Sequence, residues 1–220
     1  MYMSYSVLMS VYYKEKAENL RKAMMSIYNQ TAPCGDFVLV CDGPLTDELD
    51  DVIEEMKALF KDVLQVVRLS ENMGLGKALN EGIQHCRYEL VGRMDSDDIS
   101  HPDRFEKQLR VFEYKHPDIV SATVEEFSES PDKIEARRML PAEHEDILVF
   151  AKKRNPFNHP CVMYKKSAVE AAGGYQDFYL LEDYYLWIRM LQNGAKGYNI
   201  KEGLLSMRAG SDMYRRRSGS

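Results

Sequence analysis

The chain has 220 residues, 45% apolar and 29% charged, enough for one sizeable water-soluble domain. Its 29 basic residues against 35 acidic ones leave a net charge of −6, which argues against a general nucleic-acid binder. No apolar run approaches the ~18 residues of a membrane span, and the opening MYMSYSVLMSVYY lacks a basic leader and a cleavage site, so neither a spanning helix nor a secretory signal is expected.

In chain order, SYSVLMSVY (4–12) reads as a buried strand. AENLRKAMMSIYNQT (17–31) reads as a helix with Leu20, Met24 and Ile27 on one face. DFVLVCDG (36–43) is a second strand ending in Asp42 and Gly43. TDELDDVIEEMKALF (46–60) is a helix that Thr46 is placed to cap. VLQVVRLS (63–70) is a third strand, GLGKALNEGIQHC (74–86) a helix begun through glycines, and YELVGRM (88–94) a fourth strand. Strand and helix alternate, which predicts an α/β fold with a parallel sheet covered on both faces. The second half is less regular. Helices are expected at 101–117, 142–155 and 181–194, strands at 119–127 and 159–166, and a short helix in SAVEAAGGY. No repeat or linker divides the chain, so one domain is expected. Its four cysteines are scattered without metal or disulfide spacing and read as reduced cytosolic thiols.

Ligands of such sheets bind at the carboxyl ends of the strands. Polar residues gather there: Ser10 and Tyr12 after strand one, Asp42 after strand two, Asn72 after strand three, and Asp95-Ser96-Asp97 after strand four. Residues i and i+2 of a strand share a side. If the extended geometry persists, Asp95 and Asp97 face one point and Asp98 faces away, free to cap the helix that begins near Pro102 or to bond the turn. Such a pair suits a divalent cation that binds one or two carboxylates plus substrate phosphates, or it is a solvated acidic turn.

Glu182-Asp183 starts the last helix. The pair reads either as favourable charge at a helix N-terminus or as a site with Asp183 as general base. Tyr184 and His159 are read as lining the acceptor side or as structural, and Lys77 as approaching phosphate or solvated. Arg208, Arg215 and Arg216 are read as a basic segment closing on a diphosphate or as a solvated end.

Six ordered stretches then resemble the family-2 inverting glycosyltransferases of GT-A, Rossmann-like fold. They are SVLMSVYYKEKAENLRKAMMSIYNQT, VCDG, ENMGLGKALNEGI, RMDSDDISHPDRFEKQ, NHPCVMYKKSAVEAAGGY and LEDYYLWIRMLQNG, and the resemblance as a whole covers roughly residues 4 to 208. The resemblance implies that residues 1–98 bind a nucleoside-diphosphate sugar, UDP-linked, and that 99–220 form the acceptor side of the same domain. It implies Tyr12 and Asp42 at the base, Asp95 by the ribose and metal, Asp97 on Mn²⁺ or Mg²⁺, and Asp183 as the base that deprotonates an acceptor hydroxyl. The acceptor would be a glycan or lipid-linked glycan of polysaccharide biosynthesis. The location would be the cytoplasm or the inner face of the membrane.

Two positions depart from the family pattern: Cys41 stands where a second acid often precedes D-G, and Tyr185 ends what is often E-D-x-D. Family members usually continue beyond RRRSGS, which suggests a truncation that removes a membrane-associating part. A sugar-1-phosphate nucleotidyltransferase is the alternative, but SVYYKEKAEN lacks the glycines of its phosphate loop. A two-carboxylate glycoside hydrolase would leave the polar strand ends unexplained.

Overall fold

The computed structural model describes residues 3–176, 178 and 180–209. The first half alternates as expected: β1 (Tyr5–Val11), α1 (Ala17–Tyr28), β2 (Asp36–Cys41), α2 (Asp47–Phe60), β3 (Leu64–Arg68), α3 (Leu75–His85) and β4 (Leu90–Asp95). The second half adds β5 (Ile99–Ser100), α4 (Arg104–Lys115), β6 (Ile119–Phe127), β7 (Ala136–Arg138), α5 (His144–Ala151), β8 (Met163–Lys165), α6 (Lys166–Ala171), α7 (Glu182–Gln192) and β9 (Gly197–Arg208).

One sheet runs through the domain in the order β3-β2-β1-β4-β8-β6-β9-β5, with β7 pairing on β6. The block β3-β2-β1-β4 is wholly parallel, as the strand–helix alternation requires. At β4 the direction changes: β8 pairs antiparallel with β4 and with β6, and β9 then runs parallel to β6. Ser10 lies level with Val40 on one side and with Asp95 on the other, so the carboxyl ends of the three strands finish at one height.

The alternation of β1 divides the core. Tyr5, Val7, Met9 and Val11 point to the face packed by α1, α2 and α4, whereas Leu8 points to the face packed by α3 and α7. Thr46 caps α2 by accepting the Leu49 backbone N–H at 3.4 Å. Gly82 lets α3 lie close on the sheet, because a Cβ there would come within 2.7 Å of Val40 Cγ2 and press on Leu8.

Three expectations change. Residues 159–166 begin as a single 3₁₀ turn (His159–Cys161), and only Met163–Lys165 pair as a strand. The helix near Pro102 starts at Arg104, after Asp103, so Asp98 does not cap it. The longest strand, β9, falls where the sequence pattern indicates no element, because Lys201, Glu202 and Gly203 interrupt its apolar alternation at the bulge against Ala122–Val124.

Candidate active site

A cleft of about 890 Å³ opens over the end of β4. Its floor is Arg93, a fully buried arginine inside an apolar strand. Residues two apart on a strand share a side, so Arg93 reaches Asp95 on its own strand. Arg93 Nη1 donates to Asp95 Oδ2 at 2.8 Å, and Nη2 donates to Asp95 Oδ1. Part of the positive charge that answers the crowded aspartates is thus built into the fold.

The extended backbone stops at Asp95, and Ser96-Asp97 form a turn. The alternation expected to turn Asp98 away from its neighbours therefore does not hold: Asp95, Asp97 and Asp98 all line the cleft. They do different things there. Asp98 is buried and accepts the Arg208 backbone N–H at 2.9 Å, tying the end of β9 to the end of β4. Asp97 forms no ion pair with a described Lys or Arg. Burial, with Asp95 and Glu15 nearby, pushes its carboxyl up to about 7. Ser96 is buried and donates to Glu15 Oε2 at 3.3 Å, which brings the loop after β1 against this turn.

The opposite wall comes from the second half. Asp183 sits in the first turn of α7 and accepts a hydrogen bond from Asn155 Nδ2 at 2.7 Å. Burial raises its carboxyl above the ordinary aspartate value against that hydrogen bond. His159 Nε2 lies 2.9 Å from the Tyr175 hydroxyl, and its ring meets Trp187 edge-on. Burial, with Arg93 nearby, holds this imidazole well below its ordinary range, hence neutral at pH 7. Tyr12, Glu182 and Arg208 complete the set of expected residues in the cleft.

Other expected residues do not line it. Asp42 is buried, with both carboxylate oxygens committed: Oδ1 accepts the Met73 N–H at 2.7 Å and Oδ2 the Gly74 N–H at 3.0 Å. It fixes the loop leading into α3. Asn72 is exposed, and its Nδ2 donates to the Asp42 carbonyl at 3.2 Å. Lys77 is exposed on α3, and Ser10 ends β1 beneath the cleft without lining it. Tyr184 turns away, donating to the Ala151 carbonyl at 2.6 Å, because its place on α7 faces α5 rather than the cleft. Arg215 and Arg216 lie outside the described residues.

Among the polar cleft residues that the sequence reading does not single out are Glu15, Arg93, Arg138 and Asn155. Arg93 had a signal, since an arginine inside an apolar strand must be paired. The other three sit in ordinary polar segments, with no pattern to single them out.

No three His, Cys, Asp or Glu side chains of the described residues come together as a ready-made cation cage. The residues do fit a hard divalent cation shared with a phosphorylated ligand. Asp97 is a carboxylate whose charge is opposed by burial and by neighbouring acids, and such a cation needs only one or two carboxylates from the protein. Asp95, beside it, is already gripped by Arg93.

Comparison with known proteins agrees with this architecture. The family model "Glycosyl transferase family 2" matches residues 6–173. The chain is 44% identical over 217 residues to the amylovoran biosynthesis glycosyltransferase AmsE of Erwinia amylovora, covering 98% of this chain and 80% of that protein. It is 40% identical over 217 residues to the UDP-Gal:alpha-D-GlcNAc-diphosphoundecaprenol beta-1,3-galactosyltransferase of Escherichia coli, covering 98% and 78%. Among solved structures, the mannosyltransferase PcManGT from Pyrobaculum calidifontis, in complex with GDP-Man and Mn²⁺, superposes with a TM-score of 0.75 at 18% identity, over 97% of this chain and 59% of that one. S. aureus TarS superposes at 0.74 and 18% identity, over 97% and 38%. The chain thus spans less than two thirds of either solved chain. Fold, cleft and sequence agree: the chain belongs to glycosyltransferase family 2.

Proposed function

We propose that the protein transfers a sugar from a nucleoside-diphosphate sugar, UDP-linked, to a hydroxyl of a glycan or lipid-linked glycan, with inversion at the anomeric carbon. One observation carries the reading. Tyr12, Asp97 and Asp183, drawn from three distant parts of the chain, line a single cleft. Nucleotide-bound TarS and PcManGT, and the named donor and lipid-linked acceptor of the E. coli relative, support the substrate classes.

In this reading Tyr12 lies at the base and Arg208 faces the diphosphate. A divalent cation, Mn²⁺ or Mg²⁺, held by Asp97 with Asp95 beside it, would supply Lewis-acid neutralisation of the leaving group. Asp183 takes the proton of the acceptor hydroxyl. The hydroxyl oxygen forms its bond to the anomeric carbon, the bond from that carbon to the diphosphate oxygen breaks, and the nucleoside diphosphate leaves with the electron pair. Burial suits Asp183 to this task, since a raised pKa makes its carboxylate a stronger base. The neutral His159 and the Asn155 amide hold the wall on either side. The nucleotidyltransferase alternative gains no support from the family match.

The test is a thermal-shift screen of nucleoside-diphosphate sugars with and without Mn²⁺, followed by analysis of the product's anomeric configuration. A UDP-sugar with Mn²⁺ is expected to raise Tm, and Asp97→Ala to abolish the metal-dependent part. Nucleotide binding indifferent to metal would remove Asp97 from its role, and a retained configuration would overturn the single displacement.

A further inference from the structure

Beside the cleft lies a second concavity, an apolar groove of about 600 Å³ between α5 and α7. Leu148, Phe178, Leu181, Tyr185, Ile188 and Leu191 form its walls. Phe178 and Leu181 are 50% and 44% exposed, so the groove is an open surface and not a filled core. Large apolar side chains gathered on a surface mark a binding face more often than chance.

Two further observations say what would cover it. Leu181 lines both the groove and the cleft, two residues before Asp183, so the concavities are continuous at the proposed base. The segment joining them along the chain is basic: Lys152, Lys153 and Arg154 are exposed, Lys152 is on the groove wall, and Asn155 reaches Asp183. None of these three cations forms an ion pair among the described residues. Along the chain, the groove wall at Lys152, the two cations after it and the Asn155 that reaches Asp183 follow one another directly.

The geometry points to an acceptor carried on a polyisoprenyl diphosphate, with the isoprenoid chain in the α5–α7 groove, the diphosphate on Lys152–Arg154 and the sugar hydroxyl at Asp183. The inference rests on the transferase reading and deepens it by giving the acceptor its subsites. A nucleotide donor has no apolar tail to fill the groove, and a free glycan has neither tail nor anionic group.

The experiment titrates farnesyl diphosphate, farnesol and inorganic diphosphate into protein saturated with UDP and Mn²⁺, so that the donor site is already filled. Farnesyl diphosphate is expected to bind at least about tenfold more tightly than either fragment, because it alone engages both subsites. Phe178→Glu and the double variant Lys152→Glu/Lys153→Glu should each weaken it about tenfold while UDP binding stays unchanged. All three positions are exposed, and unchanged UDP binding shows that each variant is folded.

Equal binding of farnesyl diphosphate and inorganic diphosphate, or variants that bind like wild type, would overturn the groove assignment and leave the transferase reading standing. Loss of UDP binding in the wild-type protein would overturn that reading and the inference with it. A dimer that Phe178→Glu dissolves in sedimentation, or equal affinity for phosphatidylglycerol vesicles without isoprenoid, would assign the groove to a second copy or to a membrane surface instead.

Discussion

Arg93 holds Asp95 through both terminal nitrogens of its guanidinium, from two positions earlier on the same strand. The pair is unequal in exposure: the Arg93 side chain is 1% exposed and that of Asp95 37%. Asp95 therefore meets solvent or ligand while its cation cannot leave. Arg93→Met leaves buried acids unanswered and should destabilise the fold by about 3–5 kcal/mol, read by urea denaturation. Paired with Asp95→Asn, the two changes should cost less than their sum by about 1–3 kcal/mol. Strict additivity would mean that the pair contributes nothing as a pair.

Asp183→Asn should leave UDP-sugar and Mn²⁺ binding intact and lower transfer by about 10²–10⁴-fold. In the wild-type protein, the carboxyl raised by burial implies a rate that climbs with pH above the ordinary aspartate range, as the base ionises. A kcat/KM profile already flat from pH 4 upward would contradict the assignment.

Asp97 offers a test that needs no turnover. With its folded-state value near 7 and an unfolded value near the ordinary 3.8, the folded protein binds the extra proton between these limits. Its contribution to stability is full below the unfolded value and is lost as pH rises through about 7. Metal-free Asp97→Asn should therefore equal wild type in Tm at pH 4 and exceed it at pH 8. The gain should be at least about 2–4 °C, the shift that ~1 kcal/mol produces in a chain of this size, and larger the more of the displacement from 3.8 to about 7 is realised. Added Mn²⁺ should reverse the order by stabilising only the wild type. A pH-independent difference would refute the titration.

Asp42→Ala removes the acceptor of two backbone amides and should cost about 2–4 kcal/mol. Amide hydrogen exchange is the direct readout: Met73 and Gly74 should lose protection, while strand amides exchange at the globally determined rate. If those two amides stay protected, another group holds the loop.

The parallel half was legible because β1, β2 and β4, largely buried on both faces, read as mostly apolar runs, and its helices carry apolar stripes such as Leu49, Val52, Ile53 and Met56. Asp97 and Asp183 could be named from the family resemblance, and the cleft holds both. What pattern could not give was burial and turning. Asp42, expected at the nucleotide base, is buried and accepts the Met73 and Gly74 amides of its own neighbouring loop, which sequence pattern does not show. Tyr184 shares a helix turn with Asp183 yet faces α5, because neighbours on a helix point about 100° apart. Arg93 sits within an apolar strand and carries no motif signature, yet it is the cation that pairs with Asp95. β9 was hidden because a bulged strand loses the two-residue period by which strands are recognised.

The continuity of the sheet across β4 has a mechanical consequence. Asp97 follows β4 and Asp183 opens α7, the helix that leads into β9; β4 and β9 belong to one hydrogen-bonded sheet, with β8 zipped to β4 and to β6, and β9 to β6. Two lobes linked only by a flexible connector could swing apart to admit substrate and clamp down for the reaction. Here such a hinge would have to tear backbone hydrogen bonds beneath the cleft. Any adjustment of the cleft that leaves the sheet intact therefore falls to the helices, loops and side chains at its rim.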